Sequence, residues 1–544
     1  MTVLSVTQFS GVAPRFPARS LETPMAQTAI NCNLLNGVLK PFAGPSTTLF
    51  TSAKTGYPKT IYRFGQTEAS DATYWFNWLT DVDVVKGPVA GDTNERTYFT
   101  GDGAPKMTTA TLGLGADLPN TSRTLGIEAP AAAATVGTTG TGTGTPATRV
   151  YVYTFVSDLM EEGPPSPASA EVNVATGQSV TLTNFPVLPT GVNRVRIYRS
   201  LAGTTVAKYQ KVGEYVSGVN VAPWSGTVFT DSVADTALGS ILQSTDWVAP
   251  PTDMTGICVL PNGIVAGFSK NEVFLSEPYM PHAWPYSNPL EFPIVAIAAI
   301  AGQGVAVATK GPPYIGTGAH PKNMTFIKLP QNYACVSKQS MVSVAGAAIY
   351  ASTDGLVALT AQGAKLITEA LYTKKEWALL NPSSFRAYAW QSRYVCFYTD
   401  TSGVKGGFIF DPMMQSPQLT FLDFYATAGY SDPVFGYLYL VLDGTKTVVR
   451  FDHTGLLNYT WKSKKFHTPA PTNFGAAQVL AESYPVSFRY YADGGLQHTV
   501  SVPSSSGFRL PSGFLARDHE FQIEGTATVY AVHLAGTPAE LRGV

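Results

Sequence analysis

The chain has 544 residues, too many for a single hydrophobic core, and its length corresponds to about three to five domains. Only 13% of residues are charged, against about 25% in an ordinary globular protein, while Gly (50), Pro (39) and aromatic residues (12%) are plentiful. A formal net charge of −1 excludes a global basic field that would draw nucleic acid or an acidic membrane. This mixture suits turn-rich β-structure, and a surface covered by other subunits, since exposed charge is what keeps a lone particle soluble.

Residues 1–60 are rich in Pro, Ser and Thr, with little periodicity, and read as an extended segment draped over other domains. Met1 to Gly11 carries no basic stretch and no sustained apolar run, so no secretory signal is expected. Residues 61–127 return to propeller or platform strands. They are marked by the aromatic run Tyr74-Trp75-Phe76-Asn77-Trp78 and by Arg96-Thr97-Tyr98-Phe99-Thr100 before Gly101-Asp102-Gly103. A blade-like unit here would close a propeller from the N-terminal side and remove an exposed edge. Residues 128–147 read as a Thr/Gly-rich linker that buries nothing. Residues 148–240 hold several short alternating strands, at 149–156, 179–183, 194–199 and 227–231, which predicts a small β-sandwich.

The stretch 250–470 reads as one hairpin unit written several times. Its turns fall at Asn262-Gly263, Gly302-Gln303-Gly304, Asp354-Gly355, Asp400-Thr401-Ser402-Gly403 and Asp443-Gly444. Asn-Gly and Asp-Gly suit the two-residue hairpin turn, whose central residues need positive φ. The turns recur at roughly 41, 51, 48 and 41 residues, close to the ~40–50 of a four-stranded propeller blade. The runs Gly407 to Asp411 and Thr447 to Asp452 both follow a turn and end in Phe-Asp. Ile294 to Ala308 is apolar but too short to span a membrane, and is expected to be a buried hairpin. One short helix is expected at Thr373 to Leu380. Residues 471–544 read as a C-terminal β platform with a hairpin at Asp493-Gly494-Gly495.

A search for chemistry finds no convergent set. The seven histidines (His282, His320, His453, His467, His498, His519, His533) form no HxxxH or HExxH, and neither a GxSxG nor a GxxxxGK[ST] motif occurs. Cys32, Cys258, Cys335 and Cys396 lie far apart and read as free, buried thiols, so no disulfide, metal or cofactor is expected. Asp81 and Asp83, two apart on a strand, could share a cation or an acid/base role, though a solvated face is the commoner meaning. Ser352-Thr353-Asp354-Gly355 is similar to the Asp-box turn of sialidase propellers, but its Gly is one place early and no Trp follows. Arg194, Arg196 and Arg199 with Tyr198, and Lys462, Lys464 and Lys465 beside Trp461, are the two local basic clusters. They read as solvated faces, guarded edges or subunit contacts before a nucleic-acid groove. Ser276 to Pro285, with three prolines and two aromatics, could be a ligand platform, though a rigid crossing between blades is the commoner meaning.

Several phrases together resemble one family, the tail nozzle (tail tubular or distal hub) proteins of short-tailed bacteriophages. They are FSGVAPR (9–15), NCNLLNGVLKP (31–41), DVDVVKGPVAGDTNERTYFTGDGAPKMT (81–108), NRVRIYRS (193–200), SEPYMPHAWP (276–285), FRLPSG (508–513) and HEFQIEGTATVYAVHLAGTPAEL (519–541). The resemblance implies an all-β virion protein, a β-propeller with platform and insertion domains, six copies forming a ring around a channel for double-stranded DNA. It implies docking on a tail adaptor or portal-proximal ring, and attachment of tail fibres or spikes and a plug or needle. It supplies no catalytic residue and implies no membrane insertion. Glu161 to Pro167 is similar to part of a fibronectin type III module, so the 148–240 sandwich is expected to be an insert of that type. The competing expectation is a propeller-based glycan-binding protein or glycosidase of a phage tail, with paired carboxylates about 5–10 Å apart in a cleft. A third is a bacterial surface scaffold carrying a fibronectin-like module.

Overall fold

The computed structural model describes residues 3–65, 72, 74–200, 208–219, 224–302, 304–414 and 418–543. Strand accounts for 47% of residues and helix for 6%, so the protein is all-β. The chain forms two compact units, one of residues 82–291 with 318–325, the other of 1–81, 292–317 and 326–544. The 250–470 block is thus shared between units, dividing after Glu291, where the sequence placed no boundary.

In the unit of residues 82–291, strands Asp83–Lys86, Thr97–Thr100, Lys106–Thr108 and Arg123–Thr124 form an antiparallel meander. A second meander, called the first of the repeat, comprises Thr255–Val259, Val265–Ser269, Glu272–Leu275 and Tyr286–Pro289. Tyr98, Met107 and Leu125 from one share a core with Met254, Val265 and Trp284 from the other. Ser276 to Pro285 is therefore the last hairpin loop inside one meander, not a crossing between two. Trp284 anchors it, with its indole buried and Nε1 donating to the Pro281 carbonyl at 2.7 Å.

Along the chain between these meanders come two facing sheets. One runs Glu162–Pro165, Tyr151–Ser157, Val192–Ser200, Tyr209–Val216, the other Thr135–Thr139, Ser179–Thr183, Phe229–Asp231. Tyr151, Tyr153, Phe155, Leu182, Ile197 and Trp224 fill the space between them. The Thr/Gly stretch belongs to this body and is not a linker. Thr135–Thr139 pairs with Ser179–Thr183, and Thr143–Arg149 with Val172–Thr176. β-branched threonine suits an exposed pleated ladder. The glycines serve close approach as well, since a Cβ on Gly142 would stand 2.5 Å from Cβ of Ala175. Composition suggested flexibility because it does not show that a partner strand lies opposite.

The second unit continues the repeat. The second meander comprises Ile294–Ile300, Gly304–Thr309, Tyr314–Thr317 and Thr325–Lys328, and the third Val342–Val344, Ala347–Ala351, Leu356–Thr360 and Gly363–Leu366. The fourth comprises Arg386–Trp390, Arg393–Thr399, Lys405–Phe410 and Leu419–Leu422. The fifth has three consecutive strands, Ala426–Ser431, Leu438–Leu442 and Thr447–Arg450. The apolar run from Ile294 is the expected buried hairpin, although Gln303 at its turn lies outside the described residues. The uneven turn spacing has a simple cause. Asn262-Gly263 and Gly302 join the first and second strands of their meanders, whereas Asp354, Asp400 and Asp443 join the second and third. The equivalent first turns carry positive φ at Gly263, Gly302, Gly346, Ser392 and Gly436, about 39–46 residues apart. The two Phe-Asp endings fall after equivalent third strands. The expected helix spans Lys374–Leu379, with Thr373 as N-cap in a capping box with Glu376.

The N-terminal segment is woven into these sheets. Phe50–Thr51 pairs with Thr447–Val448 and supplies the fourth strand of the fifth meander. Ala26–Ile30 lies between Leu419–Leu422 of the fourth meander and Tyr459–Ser463, making one sheet that continues through Ala516–Gly525, Val486–Ala492 and Gly495–Val502. Leu4–Val6 joins Val529–Ala535 in a second sheet with Ala476–Ala481 and Phe508–Arg509. Residues 471–544 therefore do not make their sheets alone, because strands from 4–6, 26–30 and 459–463 belong to them. One core joins Phe9, Ala29, Phe408, Trp461, Phe488 and Phe521.

At Gly11 the N-terminal segment passes so close to the fourth meander that a Cβ would stand 2.2 Å from the Leu419 carbonyl oxygen. Gly11→Val is expected to cost about 1–3 kcal/mol by forcing these backbones apart. The check is a lowered urea midpoint with an unchanged denaturant slope.

Candidate functional site

Five of the six cations in the two basic clusters meet carboxylates of their own chain. On the strand Val192–Ser200, Arg194 and Arg196 reach Glu214 at 2.7 and 3.1 Å, and Arg196 reaches Glu162 at 2.6 Å. Burial alone would raise Glu214, but hydrogen bonds from Lys211, Arg194 and Arg196 outweigh it and pull the carboxyl down to about 2. Arg199 does not share their face, because side chains alternate along a strand. It is fully buried and meets the equally buried Asp231 at 2.7 Å. Asp231 also accepts from the Tyr151 hydroxyl at 2.8 Å and the Val233 amide at 2.9 Å. The expectation of a solvated or subunit-facing arginine triplet is corrected at Arg199, where the cation holds the sandwich together internally.

In the second cluster, Lys462 and Lys465 lie 2.6 and 3.3 Å from Glu520, and Lys464 donates to the Leu21 carbonyl. Burial opposes ionisation of Glu520, and the hydrogen bond from Lys462 holds its carboxyl below the usual range nonetheless. Asp81 and Asp83 do not form a strand-face pair, since the strand begins at Asp83. Asp81 meets Arg386 at 2.7 Å, while Asp83 accepts from the Gly256 amide at 3.1 Å and the Thr100 hydroxyl at 3.4 Å. Ser352 to Gly355 is a hairpin turn, closed by the Ser352 amide on the Gly355 carbonyl at 2.8 Å.

Cys32, Cys335 and Cys396 are buried and Cys258 half-buried, all free; burial pushes the Cys258 and Cys335 thiols up to about 12. Among the described residues no group of three or more His, Cys, Asp or Glu side chains is placed to hold a metal ion. His282 is a different kind of group. It sits inside the loop 276–285, its ring edge-on to Trp247 at 5.6 Å, with neither ring nitrogen hydrogen-bonded. Burial, and secondarily the Arg96 cation, push it down to about 4. Arg96 is itself held by Asp92 at 2.7 Å and Glu161 at 3.0 Å.

A cleft of about 560 Å³ opens in the second unit. Its walls come from three separated stretches: Arg15 and Phe16, Lys365 to Ala370 at the end of the third meander, and Phe410 to Met414 after the third strand of the fourth. Arg15 is fixed there by its amide on the Leu371 carbonyl at 2.7 Å and its guanidinium on the Glu369 carbonyl. Two cations (Arg15, Lys365) and two carboxylates (Glu369, Asp411) thus share one opening. Sequence reasoning passed over all four. Arg15 and Asp411 stood in phrases noted for other reasons, and no local spacing relates residues more than 300 positions apart.

No protein-family model matches the chain, and no curated protein does. Among solved structures it is similar to virginiamycin B lyase from Staphylococcus aureus, at 10% identity over 68% of this chain and 99% of that one, TM-score 0.28. The WD40 repeats of RRP9 match at 6% identity over 69% and 94%, TM-score 0.28. The extracellular domain of a hybrid two-component system from B. thetaiotaomicron matches at 9% identity over 89% and 51%, TM-score 0.25. Scores this low carry no argument about fold or activity.

Two outcomes follow from the buried groups. Arg199→Met leaves Asp231 buried without its cation and is expected to cost about 3–5 kcal/mol. The double variant Arg199→Met/Asp231→Leu should recover part of that loss, both read by urea unfolding. His282 has a folded pKa below its ordinary value of about 6.5, so the unfolded chain takes up its proton first as pH falls. Its contribution is complete above pH 6.5 and is lost towards pH 4, by up to about 3 kcal/mol. Glu161, pushed up chiefly by burial, acts with the opposite sign. The measurement is therefore the difference in pH slope between wild type and His282→Phe, which should be flatter between pH 6.5 and 4.

Proposed function

We propose that the chain is a structural virion protein, a subunit of the distal ring (nozzle) of a short phage tail. In this reading the meanders stand radially as propeller blades, and the 135–231 sandwich is a fibronectin type III-like decoration. Six copies surround a channel that retains packaged DNA and conducts it on ejection. The ring docks on a tail adaptor or portal-proximal ring and carries fibres or spikes and a plug or needle. The observation that carries the proposal is the origin of the fifth meander's outer strand. Phe50–Thr51 is brought back to Thr447–Val448 from almost 400 residues away, and a remote strand of this kind is how a propeller seals its ring. The phrases that resemble those of nozzle proteins, from residue 9 to residue 541, agree with it. So do arginines and lysines turned onto their own chain's carboxylates, because each phosphate a wall neutralises adds to the salt-dependent grip on DNA. A conduit works better with less grip.

A second reading draws on the cleft, where Glu369 and Asp411 line one opening, as the carboxylates of a tail glycosidase would. Negative-stain microscopy of the purified full-length chain separates the two. Rings of six with a central hole are expected. Monomers that release reducing ends from host polysaccharide, with release lost in Glu369→Gln and Asp411→Asn, would overturn the nozzle proposal.

A further inference from the structure

We propose that the cleft is an acceptor for an extended peptide segment of a partner protein, which adds as a fifth strand to the outer edge of the third meander. The inference goes beyond the nozzle reading and does not depend on it. Gly363–Leu366 is the last strand of its sheet, paired only with Leu356–Thr360. The Ile367 amide donates to the Leu356 carbonyl at 2.9 Å. Since hydrogen-bonded and non-hydrogen-bonded pairs alternate along an antiparallel ladder, the main-chain groups of Leu366 and Ala364 point away from the sheet. Among the described residues no main-chain hydrogen bond reaches these outward groups. The cleft is lined by Lys365, Leu366 and Ile367 in succession. Consecutive residues face opposite sides of a sheet, so a cleft touching all three meets the edge itself.

The next two meanders show what such an edge receives in this fold. The outer strand of the fourth exchanges hydrogen bonds with Val12, at 2.9 and 3.2 Å, and its Phe421 carbonyl accepts from the Asn31 amide at 2.9 Å. In the fifth, the third strand and the residue before it accept from the segment that supplies the fourth, Val448 from the Leu49 amide at 2.9 Å and Lys446 from the Ser52 amide at 3.0 Å. Both edges are closed by remote segments of the same chain. The third edge instead faces an open cleft of a volume usual for ligand sites.

Unpaired N–H and C=O groups two residues apart match the repeat of an extended peptide. The walls specify its side chains. Phe16 and Met414 suit an apolar residue, Arg15 and Lys365 an acidic one, Glu369 and Asp411 a basic one. The expected ligand is an extended segment with one apolar side chain between opposite charges.

The test is selection of random eight-residue peptides on the full-length chain, with affinities measured by fluorescence polarisation. Enriched peptides should carry the apolar residue flanked by one acid and one base. Binding should protect the Ala364 and Leu366 amides from hydrogen exchange. Leu366→Pro removes an outward donor without breaking a rung to Leu356–Thr360 and should weaken binding about three- to tenfold. Should that variant unfold, Arg15→Glu/Lys365→Glu serves instead, and should lose the acid preference and at least tenfold in affinity. No enrichment, binding indifferent to both variants, or selective binding of oligosaccharides in the cleft would overturn the proposal. So would a self-associated chain that Leu366→Pro dissociates, which would assign the edge to a second copy.

Discussion

The constraint on which this protein depends is the strand edge. A meander of four strands leaves two rows of peptide groups, and those that do not face water need partners. Here the N-terminal 51 residues supply much of that pairing. They form no body of their own, yet residues 4–6, 26–30 and 50–51 complete three different sheets. Ala26–Ile30 has the largest effect, because it fuses the fourth meander to the strands that follow the repeat. Two regions that look separate along the chain become one sheet.

Charge is used in the same economical way. With so few ionisable residues, several serve as internal fasteners. Arg63 and Asp432 are both fully buried, 2.8 Å apart, with Arg63 also near the Tyr439 hydroxyl at 3.2 Å. This pair ties the hairpin of Thr60–Arg63 and Trp75–Trp78 to the fifth meander, as Arg199 and Asp231 tie the two sheets of the sandwich. Such pairs add little net stability over apolar residues of the same shape, but losing one member is costly. They therefore act as registration pins. A wrong packing would strand a charge.

Both properties suit a part whose work is geometric. Strands brought from remote segments at 26–30 and 50–51 fix neighbouring sheets in register, and the arginines and lysines that meet carboxylates of their own chain are engaged internally. The outer strands of the first three meanders end their sheets, and the one at Gly363–Leu366 borders the mixed-charge cleft, where a second protein can be gripped through main-chain hydrogen bonds.

What the sequence determined by itself was whatever is local. Turn dipeptides needing positive φ marked the hairpins, apolar runs marked buried strands such as Ile294–Ile300, and the Thr373/Glu376 spacing marked the helix. Each depends on residues a few positions apart. The tertiary structure alone decided which strand lies beside which. It turned the Thr/Gly stretch into a paired strand, placed Ser276 to Pro285 inside a meander, buried Arg199 against Asp231, and brought Arg15 to Lys365 and Asp411. The physical reason is the same in every case. Backbone pairing and ion pairing are blind to sequence separation, so a partner hundreds of residues away leaves no periodic mark on the segment it completes.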